Sequence, residues 1–337
     1  MALKTRSLSV WLTLLPICTV LVSALSAAEE TEFRFVHPLM GTRFSVVCYA
    51  EDRAFAEKAA ETAFSIAEEV NQVASDYLPE SELSRLASHA AGTPISLSPL
   101  LYEILDHSRR LAETTGGTFD PTLGPLTKLW REARDCGRLP EPTALRAARA
   151  ATGWRHFTLD PESRRITLRR ENMAFDLGGV AKGYAADLML ESLAAAGISR
   201  AMIAAGGDIR LGDPPPGRDG WRVALQTFDP LRPNEILILA NAAVSTSGDL
   251  YQSVEIGGVT YSHILDPTTG LGLTRRIAAS VVAAEAKFSD LLATAACVLG
   301  PDAPEALREL PAVHEVKIHT LKNPLPSQRS DTRAHDE

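Results

Sequence analysis

The spacing of apolar residues along the chain predicts several helices. In the first, Ala59, Ala63, Ile66, Val70 and Val73 recur at the spacing of one helical face. The third ends at Gly197, a residue typical of helix C-termini, and Ser289 is a candidate N-cap for the last. The predicted helices are Ala54–Ala74, Leu97–Thr114, Val180–Ala196 and Ser289–Leu299.

Shorter apolar runs between turn residues predict strands, and most of these strands fall into hairpins. One hairpin is expected around the turn at His37–Gly41, and another around Gly257-Gly258. The stretch Pro121–Leu145, rich in proline and charge, is predicted to be irregular. Because strands cluster instead of alternating strictly with helices, the pattern favours an α+β fold. The predicted strands are Phe33–Phe35, Gly41–Cys48, Arg165–Leu168, Met173–Phe175, Ala201–Ile203, Trp221–Gln226, Ile236–Val244, Val254–Ile264 and Ala278–Val282.

Composition narrows the class of protein. The chain has 337 residues, of which 45% are hydrophobic, so it can bury a substantial core. Without residues 1–28, 32 basic side chains face 42 acidic ones, a net charge of −10. An acidic protein is a poor partner for nucleic acid, and a cation at the site would help it to bind an anionic ligand.

Residues 1–28 have the parts of a secretory signal: basic Lys4 and Arg6, an apolar run, and small residues at Ser26–Ala28. The alternative is an uncleaved membrane anchor, and we expect export as a soluble or loosely attached protein. Cys48, Cys136 and Cys297 then remain, with no CxxC pair, which predicts buried free thiols. Residues 323–337 are polar and are expected to be disordered.

Two remote segments carry the strongest chemical signal. Asp176–Gly183 combines a glycine turn with the start of a helix and Lys182, which suits phosphate binding. An ordinary tight turn is the alternative, and a Walker loop is excluded because Tyr184 follows Gly183. Asp290 and Thr294 lie one helical turn apart on the same face. Their oxygens suit Mg²⁺, although helix capping or core packing would also explain them.

Three weaker signals accompany these segments. His263 ends a predicted strand, where a histidine can act as a base near neutral pH or simply form a structural hydrogen bond. Ser245–Asp249 offers hydroxyl groups after a hydrophobic strand, and a polar turn is the alternative. Gly206-Gly207-Asp208 indicates a close approach of the backbone, either to a ligand or to a packed neighbour.

Taken together and in this order, eight segments resemble the ApbE family of FAD:protein FMN transferases. They span about His37 to Gly300, nearly the whole chain after residue 28. The matching segments are Met40–Thr42, Ser81–Leu86, Gly117–Pro121, Asp176–Gly183, Gly206–Ile209, Ser245–Asp249, Ser262–Gly270 and Ser289–Thr294.

The resemblance implies a T-fold-related α+β domain over residues 29–322, with antiparallel sheets flanked by helices and an FAD cleft between two subdomains. It implies a Mg²⁺ site formed by Gly179, Asp290 and Thr294, and a catalytic role for His263. It also implies FAD contacts from Met40, Tyr77, Thr118, Phe119, Asp120, Asp176, Lys182 and Ile264.

The implied reaction is Mg²⁺-dependent transfer of the FMN moiety of FAD to a Thr or Ser hydroxyl of a partner protein, with release of AMP. The partners would be electron-transfer proteins, and the location the bacterial periplasm or the outer face of the inner membrane. Two alternatives remain open from the sequence. One is an FAD pyrophosphatase that releases FMN and AMP, and the other is an exported FAD carrier or maturation factor without turnover.

Overall fold

The structure is a computed structural model that describes residues 30–225, 234–249, 252–310 and 312–320. The predicted signal or anchor at 1–28 and the predicted disordered tail at 323–337 lie outside the described residues, so both stay predictions. Within those described ranges, no helix combines the length and the apolar character needed to cross a membrane.

Helices and antiparallel strands are mixed along the chain. The helices are α1 (Arg53–Ala74), α2 (Glu82–Leu86), α3 (Pro99–Thr114), α4 (Gly124–Cys136), α5 (Pro142–Ala150), α6 (Ala181–Ala195), α7 (Ala286–Leu299) and α8 (Ala303–Ala306). The strands are β1 (Thr31–Leu39), β2 (Thr42–Ala50), β3 (Pro94–Ser96), β4 (Phe157–Asp160), β5 (Arg165–Leu168), β6 (Ala201–Ala205), β7 (Asp208–Leu211), β8 (Trp221–Leu225), β9 (Glu235–Leu239), β10 (Ala243–Gly248), β11 (Ser253–Ile256), β12 (Val259–Ser262), β13 (Ile277–Ala283) and β14 (Val313–Thr320).

A seven-stranded sheet organises the molecule, in the order β1-β2-β6-β7-β10-β13-β14. Every neighbouring pair in it is antiparallel. A smaller sheet, β3-β5-β4, and the hairpins β8–β9 and β11–β12 complete the strands described. The predicted α+β fold is therefore confirmed.

Apolar clusters lie on both faces of the large sheet, which explains why its inner strands β6 and β13 are almost wholly apolar. Successive side chains of a strand point to opposite faces. In β2, Val46 and Cys48 join the main core with α1, α6 and α7. Val47, between them, packs with Trp221 and Val223 of β8 on the other face.

A third apolar cluster holds α4, α5 and the β11–β12 hairpin together. It includes Leu126 and Trp130 of α4, Ala148 of α5, and Ile256 and Tyr261 of the hairpin. The Trp130 indole donates a hydrogen bond to the Ser262 carbonyl at 3.0 Å, which ties α4 to the end of β12. This small unit faces the main core, and a cavity of about 880 Å³ lies between the two.

The predicted helices and most predicted strands are confirmed, but the prediction of an irregular stretch at Pro121–Leu145 is wrong. Two helices, α4 and α5, occupy most of it. Pro125 and Pro142 lie at the first two positions of these helices, where a missing N–H costs nothing because that group has no partner inside a helix. Gly137, at φ +65°, ends α4 in the left-handed conformation.

Four smaller predictions need correction. Met173–Phe175 is not a strand; β4 and β3 are the neighbours of β5. Ile236–Val244 is two strands, β9 and β10, which belong to different sheets. The first hairpin turns only at Met40-Gly41, because β1 runs on to Leu39. Ser289 does not cap α7; it lies one turn inside the helix, and its hydroxyl is 2.8 Å from that of Ser245.

The three described cysteines are free, as predicted. Cys48 and Cys297 are buried, but Cys136 is exposed, so the prediction of burial is wrong for that residue.

Candidate functional site

One cavity of about 880 Å³ brings together every residue that the resemblance assigns to the metal site, the FAD contacts or catalysis. Its volume is in the range typical of small-molecule sites. The candidates that line it are Met40, Tyr77, Thr118, Phe119, Asp120, Asp176, Gly179, Lys182, His263, Ile264, Asp290 and Thr294.

The glycine turn before α6 is closed by Asp176. One of its carboxylate oxygens accepts a hydrogen bond from the Gly178 N–H at 2.9 Å, and the other accepts one from the Thr127 hydroxyl at 2.7 Å. This pattern is that of an Asx turn. Asp176 therefore lines the cavity while holding the turn against α4. Lys182, in the first turn of α6, donates to the Gly178 carbonyl at 3.1 Å.

Gly183 allows α6 and α7 to touch. A Cβ atom at this position would lie 2.2 Å from the Ala286 carbonyl oxygen and 2.9 Å from the Asp290 Cβ. Without a side chain, the Gly183 N–H donates to the Asp290 carboxylate at 3.0 Å. Only glycine permits this approach of backbones, so it fixes how close Asp290 comes to the first turn of α6.

Lys182 lies between two buried carboxylates. Its Nζ is 3.1 Å from an oxygen of Asp208 and 3.3 Å from one of Asp290. Burial alone would lower the pKa of Lys182, but the two carboxylates raise it above its ordinary value. Burial and the charge of Asp208 raise the pKa of Asp290, against the opposing effect of Lys182. Two acids share one ammonium in this corner, and a further cation there would favour the ionised form of Asp290.

The three residues predicted to bind a metal lie together. Asp290 and Thr294 share one face of α7, and a Cβ on Gly179 would be 3.2 Å from the Thr294 hydroxyl. The Ser247 hydroxyl is also 3.2 Å from that of Thr294. This donor set consists of hard oxygen atoms, which Mg²⁺ prefers. No group of three or more His, Cys, Asp and Glu side chains suited to a metal occurs among the described residues.

His263 follows β12 and lines the same cavity. Its backbone N–H donates to the Gln252 carbonyl at 2.9 Å, and its Nδ1 atom is buried without a hydrogen-bond partner among the described residues. Burial, together with the positive charge of Arg134, lowers the pKa of His263 to about 4. The ring is therefore neutral at physiological pH and can accept a proton. The next residue, Ile264, is buried, and its N–H donates to the Ser262 hydroxyl.

Met40 and Tyr77 form one rim of the cavity. Met40 adopts φ +49°, a left-handed conformation that non-glycine residues seldom take and that often marks functional sites. The Tyr77 side chain is 72% exposed, unusual for so large a ring. The Arg131 guanidinium lies 3.9 Å from the centre of that ring and forms an ion pair with Asp76 at 2.6 Å. An exposed aromatic ring held in this way is suited to stacking on a planar ligand.

Thr118, Phe119 and Asp120 reach the cavity from the segment after α3. The Thr118 hydroxyl donates to the Thr115 carbonyl at 2.8 Å, and Phe119 is buried. Both carboxylate oxygens of Asp120 already accept hydrogen bonds, one from Thr122 and one from the Trp154 N–H. Asp120 thus has a strong structural role at the cavity wall.

The sequence did not reveal the contribution of α4. Thr127, Trp130, Arg131 and Arg134 all line the cavity from this helix. Its buried residues Leu126, Trp130 and Ala133 follow helical spacing, a signal that the flanking prolines obscured. Asp208 was noted only as part of a backbone motif, although its carboxylate contacts Lys182.

A domain of this architecture, with a glycine turn and an oxygen-rich corner in one cleft, is the kind of site that binds a nucleotide with a divalent cation. The ApbE family model matches residues 40–316, and the chain belongs to that family.

Curated relatives and solved structures agree with this membership. The FAD:protein FMN transferase of Vibrio cholerae is 33% identical over 308 residues, covering 89% of this chain and 90% of the relative. That of Treponema pallidum is 31% identical, covering 86% and 85%. The structure of the flavin transferase ApbE from Vibrio cholerae superposes with a TM-score of 0.76 at 29% identity, covering 86% and 93%. The apo form of the Pseudomonas stutzeri flavinyl transferase ApbE gives 0.75 at 27% identity, covering 87% and 96%.

Proposed function

We propose that this chain is an FAD:protein FMN transferase that uses Mg²⁺, attaches FMN to a Thr or Ser hydroxyl of an acceptor protein and releases AMP. The observation that carries the proposal is the meeting of Asp290, Thr294, Gly179 and Lys182 with His263 in one cavity. The curated relatives named for this activity, each matched over most of its length, support it.

The oxygen-rich corner fits Mg²⁺ by the chemistry of its donors. Asp290, the Thr294 hydroxyl and the backbone at Gly179 would hold the ion, and substrate oxygens would complete its coordination. When bound there, the ion would neutralise the diphosphate of FAD and stabilise the charge that develops on the departing AMP. Lys182 would provide a second positive charge beside the phosphate oxygens, at the N-terminus of α6.

Other residues of the cavity lining are suited to positioning the substrate. The exposed Tyr77 ring, backed by the Arg131 guanidinium, is suited to stacking on the isoalloxazine. Met40 and the Thr118–Asp120 segment line the same space. Arg134 lines the cavity close enough to His263 for its charge to lower the pKa of that ring, and a cation there suits an anionic part of the substrate.

In the transfer step, the acceptor hydroxyl oxygen attacks the phosphorus on the FMN side of the diphosphate. The bond from that phosphorus to the bridging oxygen breaks, and the electron pair leaves with AMP. His263 would take the hydroxyl proton at one of its ring nitrogens. Its place in the cavity, with an Nδ1 atom that has no hydrogen-bond partner among the described residues, supports this role.

We further propose that the protein is exported, on the basis of residues 1–28 alone. Its acceptors would then be electron-transfer proteins in the periplasm or at the outer face of the inner membrane. N-terminal sequencing of the protein from an expressing bacterium tests export: a start near Glu29 supports cleavage of the signal, and a start at Met1 favours an anchor or no export.

The decisive assay incubates residues 29–337 with FAD, MgCl₂ and a purified FMN-accepting domain that carries a single acceptor threonine. In-gel flavin fluorescence on that domain, with one AMP released per FMN attached, supports transfer. FMN and AMP without fluorescence would identify a pyrophosphatase, and FAD binding without AMP would identify a carrier.

Two variants refine the assay. An acceptor domain whose threonine is replaced by alanine is the matched control and should stay unlabelled. His263→Ala should retain FAD binding and lose turnover; if it loses FAD binding instead, the residue contacts the ligand and is not the base.

A further inference from the structure

The buried carboxylate of Asp187 joins three separate elements. It belongs to α6 and is only 4% exposed. Its Oδ1 accepts hydrogen bonds from the Arg210 Nε of β7 and from the Ala286 N–H of α7, both at 2.8 Å. Its Oδ2 accepts one from the Lys287 N–H at 2.9 Å. Hydrogen bonds to a charged, buried acceptor are among the strong ones.

These three elements are the ones that carry the charged groups of the cavity. Lys182 lies on α6, Asp208 on β7 and Asp290 on α7. Asp208 and Arg210 are two residues apart in one strand, so their side chains leave the same face of the sheet. Asp290 lies one helical turn beyond Ala286. The hydrogen bonds that Asp187 accepts therefore lie within a few residues of each charged group.

Helix α7 depends on Asp187 for its start. The residue at its own N-cap position, Glu285, makes no capping hydrogen bond through its side chain. The first N–H groups of a helix have no partner inside the helix, and Asp187 satisfies two of them from another element. Its negative charge also complements the positive end of the α7 dipole.

Arg210 holds Asp187 in turn. While Nε donates to the carboxylate, Nη1 of Arg210 donates to the Leu211 carbonyl at 2.8 Å and to the Ala242 carbonyl at 3.2 Å. The guanidinium is thus attached to two stretches of backbone in the sheet. The start of α7 is thereby linked to the rigid centre of the fold.

We infer that Asp187 is a positioning residue that fixes the Asp290 carboxylate against the Lys182 ammonium and the Gly183 N–H. Asp187 does not line the cavity, so it acts on the site only through α6, β7 and α7. The inference extends the proposed function, because Asp290 is there the candidate ligand of Mg²⁺.

The test replaces Asp187 by asparagine, which keeps the size of the side chain. Its Nδ2 cannot accept a hydrogen bond, so the side chain can no longer serve all of its donors. Glu82→Gln is the matched control, because the Glu82 carboxylate accepts the Ser98 N–H near the start of α3, outside the cavity. Both variants are measured as residues 29–337.

Two quantities are measured. The first is the hydrogen-exchange rate of the Gly183 amide, which donates to Asp290; in Asp187→Asn it should rise by at least about tenfold. The second is the dissociation constant of Mg²⁺, from calorimetric titration with MgCl₂, which should rise by about 10- to 100-fold, the range typical of residues that orient metal ligands. Glu82→Gln should leave both close to their original values.

A folded Asp187→Asn protein whose Gly183 amide exchanges at the original rate would overturn the inference, whatever its affinity for Mg²⁺. If the unaltered chain binds no Mg²⁺, the metal part of the proposed function fails, and the Gly183 exchange rate still decides the role of Asp187. Should Asp187→Asn not fold, Arg210→Lys answers the same question. Lysine has a shorter side chain that ends in one ammonium group, so it cannot contact the carboxylate and both carbonyls together. Exchange of the Gly183 amide should therefore accelerate, and an unchanged rate would again refute the inference.

Discussion

Replacing Gly183 by alanine places a methyl group where α6 and α7 meet. The new Cβ would lie 2.2 Å from the Ala286 carbonyl oxygen and 2.6 Å from its carbon, whereas ordinary van der Waals contact begins at 3.4 Å. The atoms in the way belong to backbone, so no side chain can rotate aside. The helices must separate, and the hydrogen bond from the Gly183 N–H to Asp290 must lengthen.

Two opposing effects determine how much Gly183→Ala changes the free energy of unfolding. Alanine is the better helix former by about 1 kcal/mol. Overpacking a tight contact costs about 1–3 kcal/mol, and sometimes more. Because the overlap is with backbone, we take the upper end of that range. The free energy of unfolding should therefore fall by about 2 kcal/mol, and the displaced Asp290 should weaken Mg²⁺ binding as well.

Urea unfolding followed by circular dichroism measures the change. Ala194→Gly, at an exposed position of the same helix, is the matched control because it reports the difference in propensity between the two residues without any clash. If Gly183→Ala proves as stable as the unaltered chain, or more stable, propensity dominates and the close approach of α6 and α7 does not constrain the site.

Three further predictions concern the cavity. Asp290→Asn should weaken Mg²⁺ binding by more than the roughly 10- to 100-fold typical of residues behind the ligands, and calorimetry checks this; affinity within tenfold of the original would contradict the metal role. Tyr77→Ala should raise the dissociation constant of FAD by about 5- to 150-fold, because one aromatic stack contributes about 1–3 kcal/mol. The urea midpoint should stay constant because the ring is exposed. Fluorescence quenching of FAD measures the affinity, and an unchanged dissociation constant would exclude stacking. The pKa of His263 is about 4, below its ordinary 6.5, because burial disfavours the charged ring. The unfolded chain thus binds a proton that the folded chain excludes, so the free energy of unfolding should fall as pH drops from 6.5 towards 4. His263→Gln should make that fall shallower in urea titrations across this range, and an equally steep fall would show that His263 is solvated.

The residues of α6 and α7 were predictable because their chemistry is local. A glycine turn followed by lysine, and a carboxylate one turn before a hydroxyl, are visible within a few positions of sequence. That Asp290 and Lys182 meet depends on Gly183, whose role is evident only once two helices are packed. Spacing along the chain contains no information about a contact between residues 107 positions apart.

The wall formed by α4 was missed for a different physical reason. Proline and charge suggested an irregular chain, yet Pro125 lies in the first turn of α4, where proline is tolerated, and Gly137 ends the helix. Met173 and Phe175 misled in the opposite way. They are buried at alternate positions as in a strand, but the Asp176 N–H bonds to the Pro121 carbonyl instead of to a strand neighbour. The alternating pattern of Met173 and Phe175 is thus typical of a strand, although this segment belongs to no described sheet.

The walls of the cavity come from nearly the full length of the described chain, from Met40 in the first hairpin to Val298 near the end of α7. A polypeptide that has not yet formed α7 lacks Asp290 and Thr294 at the pocket, and so lacks the oxygen-rich corner. A ligand that contacts the whole pocket would then require α7 in place, and by binding only the folded chain it would stabilise the molecule as a whole. A chain that crosses a membrane unfolded would consequently leave its nucleotide behind and collect it at its destination.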